Sequence, residues 1–171
     1  MKSCSFFGHR DTLQTEELKE KVRKTVEHLI VEEGVGAFLF GSRSKFDELC
    51  HIVVTELKER YPHIQRIAYL CKHESGCLVG AGMSLTQKIK DVTRRDEYVA
   101  EYEEIKKSDR INSAGCACYV ERNQWMIESS NFVVIRYKQI QTKQKKCGTD
   151  CALQYAKKLQ KNIIFIVANG D

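Results

Sequence analysis

Two short apolar runs, Cys4-Ser-Phe-Phe7 and Ala37-Phe-Leu-Phe40, flank a segment in which Leu18, Val22, Val26, Leu29 and Ile30 recur at i, i+4, i+8, i+11 and i+12. The runs are too short for helices and read as buried strands, whereas the spacing between them sets its apolar side chains on one face of a helix. A strand, a helix and a second strand in this succession have one common solution, parallel strands joined by a right-handed crossover. Thr12 and Thr15 are both candidates to cap a helix beginning near Glu16, and Gly34 and Gly36 end it. Each run closes on a glycine, Gly8 or Gly41. In an open α/β sheet a glycine there stands at the carboxyl edge, where ligands bind and other groups approach the backbone closely. The stretch from Ser3 to Arg10, ending in Gly8-His9-Arg10, is therefore expected to form one wall of a ligand crevice.

The alternation continues. Ser42-Arg-Ser-Lys-Phe-Asp47 opens a helix carrying Phe46, Leu49, Cys50, Val53, Val54 and Leu57 on one face, and Pro62 stops it just beyond Arg60. Ile64 to Cys71 reads as a third strand. Residues 72–110 are the least regular. Ser84-x-x-Gln87 and Thr93-x-x-Asp96 read as capping boxes, so a helical insertion is expected around 78–112. The charged run from Arg94 to Glu104 reads within it as a solvated helix, with a ligand-facing lid as the alternative. Ser113 to Cys118 leads into a helix through Tyr119-Val-Glu-Arg-Asn-Gln-Trp-Met-Ile127, with Val120 and Ile127 on its buried side. Phe132-Val-Val-Ile135 is a fourth strand. Cys147-Gly-Thr-Asp-Cys151 starts a last helix with Ala152, Tyr155, Ala156 and Leu159 on one face, Asn162 to Val167 is a fifth strand, and Ala168 to Asp171 is a frayed tail. The sequence thus predicts an α/β fold: a single Rossmann-like domain over 1–171, a three-layer sandwich with a mainly parallel five-stranded sheet and helices on both faces.

Composition narrows the function classes. With 171 residues, 42% hydrophobic and 30% charged, the chain is long enough to bury a full core. A net charge of +5 is mildly favourable for an anionic partner but selects none. No apolar run approaches the roughly 20 residues of a membrane span. Met1-Lys2 leads straight into the first strand, leaving no room for a signal peptide, so a cytoplasmic protein is expected. The eight cysteines are then expected to be reduced thiols rather than a disulfide framework. Cys71-Lys-His73 with Cys77, or Cys116 and Cys118 with Cys147 and Cys151, are zinc alternatives. Neither has the paired C-x2-C spacing of a structural site, so no metal is expected.

Gly8-His9-Arg10, Gly41-Ser42-Arg-Ser44 and Gly148-Thr149 each turn through small residues into a helix. The unsatisfied N–H groups and dipole of a helix start suit phosphate, and in a parallel sheet such turns share one edge. Together they point to a nucleotide-like anion site. Arg122 suits bidentate phosphate contact and its neighbour Asn123 a ribose or base edge. Each residue also has a structural reading: Ser44-x-x-Asp47 is a capping box, Thr149 an N-cap, Arg122 and Asn123 exposed helix positions, and His9 a sheet-edge histidine. No Ser-His-Asp order, Walker lysine or metalloprotease helix is present, and no cofactor is expected.

Phe6-Phe-Gly-His-Arg10, Gly41 with Phe46-Asp47, Tyr119-Val-Glu-Arg-Asn-Gln-Trp-Met126 and Gly148-Thr149 with Ala152-Leu-Gln-Tyr-Ala156 resemble, in that order, motifs of the SLOG superfamily, in particular its small single-domain bacterial and phage members. The resemblance implies a Rossmann-like fold and a pocket for a nucleotide or nucleotide-derived molecule such as ADP-ribose or a cyclic nucleotide. Gly8, Arg10, Gly41, Ser42, Gly148 and Thr149 would shape or contact phosphate, Arg122 would pair with it, and Asp47 and Asn123 would bind ribose or base. His9 would stand at the same site. It also implies that a second subunit can complete the site, so self-association is an expectation. The lonely-guy-type phosphoribohydrolases of this superfamily carry G-G-x-G-T-x-x-E. Here Gly148-Thr149 fits the phosphate turn, but Lys146-Cys147 replaces the paired glycines and Ala152 stands where the glutamate would. Alanine supplies no acid, base or oxocarbenium stabiliser. The leading expectation is accordingly a sensor or sequestering module. The alternatives are a nucleotide N-glycosidase using Asp47 or Glu121, and a nucleic-acid-binding module, like the DNA-processing relatives, using Lys138, Lys143, Lys145 and Lys146.

Overall fold

The first strand–helix–strand unit forms as its spacing requires. In the computed structural model, β1 (Lys2–Gly8) and β2 (Val35–Phe40) pair in parallel across α1 (Glu16–Val31), whose buried residues are Leu18, Val22, Val26, Leu29 and Ile30. Thr15 caps α1, its hydroxyl accepting from the Leu18 N–H at 3.2 Å, and Gly34 makes the exit at φ +67°, a conformation other residues adopt only at a cost. The structure describes residues 1–9, 12–41, 44–70, 102–107, 117–137 and 148–167.

The remaining elements are α2 (Lys45–Lys58), β3 (Gln65–Leu70), β4 (Glu104–Lys107), α3 (Ala117–Glu128), β5 (Phe132–Arg136), α4 (Gly148–Lys158) and β6 (Asn162–Phe165). The strands form one sheet in the order β4-β3-β2-β1-β5-β6, with every neighbouring pair parallel. The pleat divides the core into two layers. Phe6, Phe38, Phe40 and Val134 pack with the apolar stripes of α1 and α2, while Phe7, Leu39, Tyr69 and Ile135 pack with Met126, Ile127, Ala152 and Leu153 of α3 and α4. This is the expected three-layer Rossmann-like architecture, with six strands among the described residues in place of five.

The additional strand is β4. It lies within the stretch read from sequence as helical, and Glu104-Ile-Lys-Lys107 has too little apolar content to register as a strand. Its position comes from polar contacts instead. The Glu103 N–H donates to the Arg66 carbonyl at 3.0 Å, the Arg66 N–H donates back to Glu103 Oε2 at 2.6 Å, and the Arg66 guanidinium donates to Oε1 at 2.8 Å. As a charged edge strand it also resists pairing with another sheet. The rest of the proposed insertion, and the lid alternative, lie outside the described residues. In α4 the buried face is Thr149, Ala152, Leu153 and Ala156, and Leu159 is exposed beyond the helix end. In α3, Val120 is only half-buried and Met126 joins Ile127 in the core. No described helix is long and apolar enough to cross a membrane.

Desolvation acts to raise Glu103, but the hydrogen bonds from Arg66 and the charges of Arg66 and Lys58 outweigh it and hold the carboxyl down to about 2. A lowered folded-state value gives stability that is complete above the ordinary glutamate range, near 4.3, and is lost as pH falls toward 2. The carboxyl is partly solvated, so the contribution is on the order of 1 kcal/mol. Glu103→Gln is expected to lower stability by about that amount at pH 7 in urea unfolding, with the difference from wild type closing as the pH is lowered to 2.

Candidate functional site at the carboxyl edge

Strand β1 is the point where the sheet order reverses: β2, β3 and β4 extend from one side of it and β5 and β6 from the other. Crossovers leave this point toward opposite faces, opening a crevice outside the carboxyl ends of β1 and β5. Gly8, the last residue of β1, pairs with Arg136, the last residue of β5. His9 and Tyr137 follow, both half-buried, with ring centroids 6.2 Å apart.

Arg136 is 7% exposed. The pleat sends it to the same side of the sheet as Phe132 and Val134, toward α1 and α2. There its Nη1 donates to the Thr12 hydroxyl at 3.4 Å, and Thr12 in turn donates through its hydroxyl to the His9 carbonyl at 2.8 Å. A buried guanidinium is thereby tied to the turn that leaves β1. Sequence reading missed Arg136, Tyr137 and this role of Thr12. The available signal was positional: Arg136 is the charged residue that ends a buried run, level with Gly8-His9.

The other sequence-predicted residues approach the edge from both faces. Gly41, directly after β2, is covered by α3. A β-carbon there would lie 2.7 Å from the Tyr69 carbonyl oxygen and 3.2 Å from both Arg122 Cδ and Met126 Sδ. Arg122 is 2% exposed, with its guanidinium carbon 5.3 Å from the centre of the Tyr119 ring, and is not the exposed helix residue that one reading allowed. Asn123, one residue on, is half-buried, as is Glu121. Gly8 is covered by α2: a β-carbon would come within 2.6 Å of Phe46 Cβ and Cγ. Both glycines therefore admit protein groups, and the close approach inferred from sequence is that of Phe46 and of α3.

Asp47, in the first turn of α2, is 2% exposed. Its N–H donates to the Ser44 hydroxyl at 3.1 Å, which makes Ser44 the N-cap as the capping-box reading required. Its side chain is nonetheless buried at the helix start. Burial, and after it the charge of Asp47, pushes the Cys50 thiol well above its ordinary range. In the opposite layer Thr149 is buried on the first turn of α4, whereas Gly148 has open space around it. Ala152 packs in the α3–α4 core with Phe7 and Ile135. Asp47 and Glu121 stand on helices that cover opposite faces of the sheet.

Arg10 and Ser42 lie outside the described residues, as do Lys138, Lys143, Lys145 and Lys146 and the zinc candidates Cys71, His73, Cys77, Cys116 and Cys147. Cys118 is buried and Cys151 half-buried. Among the described residues no group of three or more His, Cys, Asp or Glu side chains is arranged to hold a metal.

No family model matches the chain, and no curated protein matches it in sequence. Among solved structures it is similar to DNA processing protein A from Helicobacter pylori, a protein described for a unique mode of binding single-stranded DNA. The TM-score is 0.58 at 16% identity, covering 99% of this chain and 67% of that one. At this identity the likeness establishes the fold, over essentially the full length.

The glycines separate packing from ligand roles. Gly41→Ala is expected to destabilise the protein by about 1–3 kcal/mol in urea unfolding, because the added carbon meets a backbone oxygen that cannot swing away. Gly148→Ala, placed in open space, should change stability by no more than about 0.5 kcal/mol.

Proposed function

We propose that this domain binds the phosphates of a nucleotide chain at its carboxyl edge, and that the ligand is single-stranded DNA. The observation that carries the reading is the buried Arg136 at the switch point, beside the glycine that ends β1. A guanidinium held in a low-dielectric crevice interacts strongly with phosphate and fits it bidentately. Arg122 brings a second buried cation to the end of β2 from the opposite face, and the net charge of +5 acts in the same direction. The fold likeness to a protein that binds single-stranded DNA supports a nucleic acid over the ADP-ribose-type ligand suggested by the SLOG resemblance. That likeness also fits membership of the SLOG superfamily, which we propose on the four ordered motifs.

A second reading, a free nucleotide or ADP-ribose-type molecule, is favoured by one feature. The buried Asp47 at the start of α2 is the kind of acidic group that accepts from ribose hydroxyls in dinucleotide sites. Hydrolysis of such a ligand is disfavoured, because Ala152 occupies the glutamate position and packs in the core.

Fluorescence anisotropy with a labelled oligothymidine tests the first reading. Binding is expected to weaken steeply with salt. Arg136→Gln should weaken it by about 10- to 100-fold and reduce the salt slope by about one. Displacement of the oligomer by a mononucleotide or ADP-ribose at equal concentration would favour the second reading. Absence of oligomer binding at low salt would remove the first.

A further inference from the structure

We infer that β6, the strand that ends the sheet, pairs with the β6 of a second copy of this chain to form a two-fold dimer. The inference is independent of what the carboxyl edge binds.

The two edges of the sheet differ in kind. At β4 the sheet ends in a strand carrying Glu104, Lys106 and Lys107, and such charges discourage further pairing. At β6 it ends in Asn162-Ile-Ile-Phe-Ile-Val167, which has no charge, proline or glycine. Phe165 is 49% exposed and Val167 65%. Ile164 and Ile166 belong to the layer beneath α1 and α2, and Ile163 is only partly buried in the opposite layer. The pleat puts Phe165 and Val167 on the same side as Ile163, where α4 packs on β1 and β5. Lys161, just before the strand, is held to the neighbouring turn, its ammonium donating to the carbonyls of Glu128 and Ser130 at 3.0 and 2.7 Å.

Backbone direction identifies a strand as the partner. The Ile166 N–H donates to the Ile135 carbonyl at 3.0 Å. Backbone groups point alternately to the two sides of a strand, so those of Ile164 and Ile166 face β5 and those of Ile163, Phe165 and Val167 face away from the sheet. The Val167 carbonyl accepts from Lys21 Nζ at 3.0 Å and has a second lone pair. Under a two-fold axis beside Phe165, antiparallel pairing sets Phe165 opposite its own copy and Ile163 opposite Val167. Every outward N–H then meets an outward carbonyl. The three side chains meet apolar partners, with an aromatic pair at the axis, and no like charges are brought together.

The pairing also closes. It joins two sheets edge to edge, and the outer edges that remain are the charged β4 strands, so growth stops at two copies. Antiparallel pairing turns the two carboxyl edges in opposite directions, so neither copy completes the crevice of the other.

Sedimentation equilibrium of the intact chain over a range of concentrations tests this, and a reversible dimer is expected. Phe165→Lys, which sets two ammonium groups against each other at the axis, should raise the dimer dissociation constant by about 10-fold or more. Val167→Pro removes two symmetry-related outward donors and none that faces β5, and should raise it by about 5- to 100-fold. Both positions are exposed enough for the variants to fold, which far-UV circular dichroism verifies. Hydrogen exchange locates the contact: the amides of Ile163 and Phe165 should be better protected at concentrations where the dimer forms than after dilution. A monomer at every concentration, growth beyond two copies, or a dimer that both variants leave unchanged would overturn the pairing.

Discussion

Strand β1 is hydrogen-bonded on both sides, to β2 and to β5, and the organisation of the molecule follows from that double pairing. A strand with two parallel partners has no free edge and must be apolar on both faces, which is why Cys4, Phe6 and Phe7 are all buried. Parallel pairing on both sides also forces the connections to leave in opposite directions. The chain first builds outward through β2, β3 and β4 with α1 and α2 on one face, then returns to add β5 and β6 with α3 and α4 on the other. The crevice at the end of β1 is the geometric remainder of that reversal. It would exist whatever residues lined it.

What lines it depends on close packing beneath. Helices on opposite faces reach the same edge only if they can approach the strand ends, and bulk at residues 8 and 41 would hold them off. The side chain of Phe46 occupies the space a β-carbon at Gly8 would need, and Arg122 and Met126 crowd that of Gly41. Asp47 is carried in by the helix that Phe46 anchors, and Arg122 by the helix that Gly41 admits. The glycines therefore act on the site through helix placement. The sequence expects close approach at strand-end glycines, and at Gly8 and Gly41 the groups that approach include Phe46, Arg122 and Met126.

The sequence made the sheet legible where burial dictated residue type and obscured it where burial did not. The stripes of α1 and α2 are apolar because one face of each helix is covered by the sheet, and the runs of β1, β2, β3 and β5 because helices cover both faces of the sheet. Strand β4 is held by the Glu103–Arg66 pairing across more than thirty positions in sequence, a contact without a periodic signature. The candidate site was legible in the same uneven way. Gly8, Gly41, Asp47 and Arg122 stand in local motifs. Arg136 and Tyr137 do not, since their place at this edge comes from register with Gly8 and His9 on a strand more than a hundred residues away. Spacing within one element can be read from a sequence, whereas register between two elements is set by the packing of all of them.

The charges at the edge bear on whether it holds a ligand or transforms one. Arg122 and Arg136 are both almost fully buried and flank the end of β1 from opposite faces, with Asp47 as the buried carboxylate at the same end. Keeping guanidinium groups out of water is costly unless anionic or polar partners compensate, and the Thr12 hydroxyl is one such partner of Arg136. Cleaving a glycosidic bond makes a different demand, a carboxyl able to donate and accept a proton at the reacting atoms. Where the lonely-guy motif carries its glutamate, this chain has Ala152, a methyl group in the buried cluster that includes Phe7 and Ile135. A glutamate there would place a new charge in the core beneath α3 and α4. The edge thus combines two buried guanidinium groups with a buried carboxylate, while the position of Ala152 is committed by its packing to a small apolar side chain.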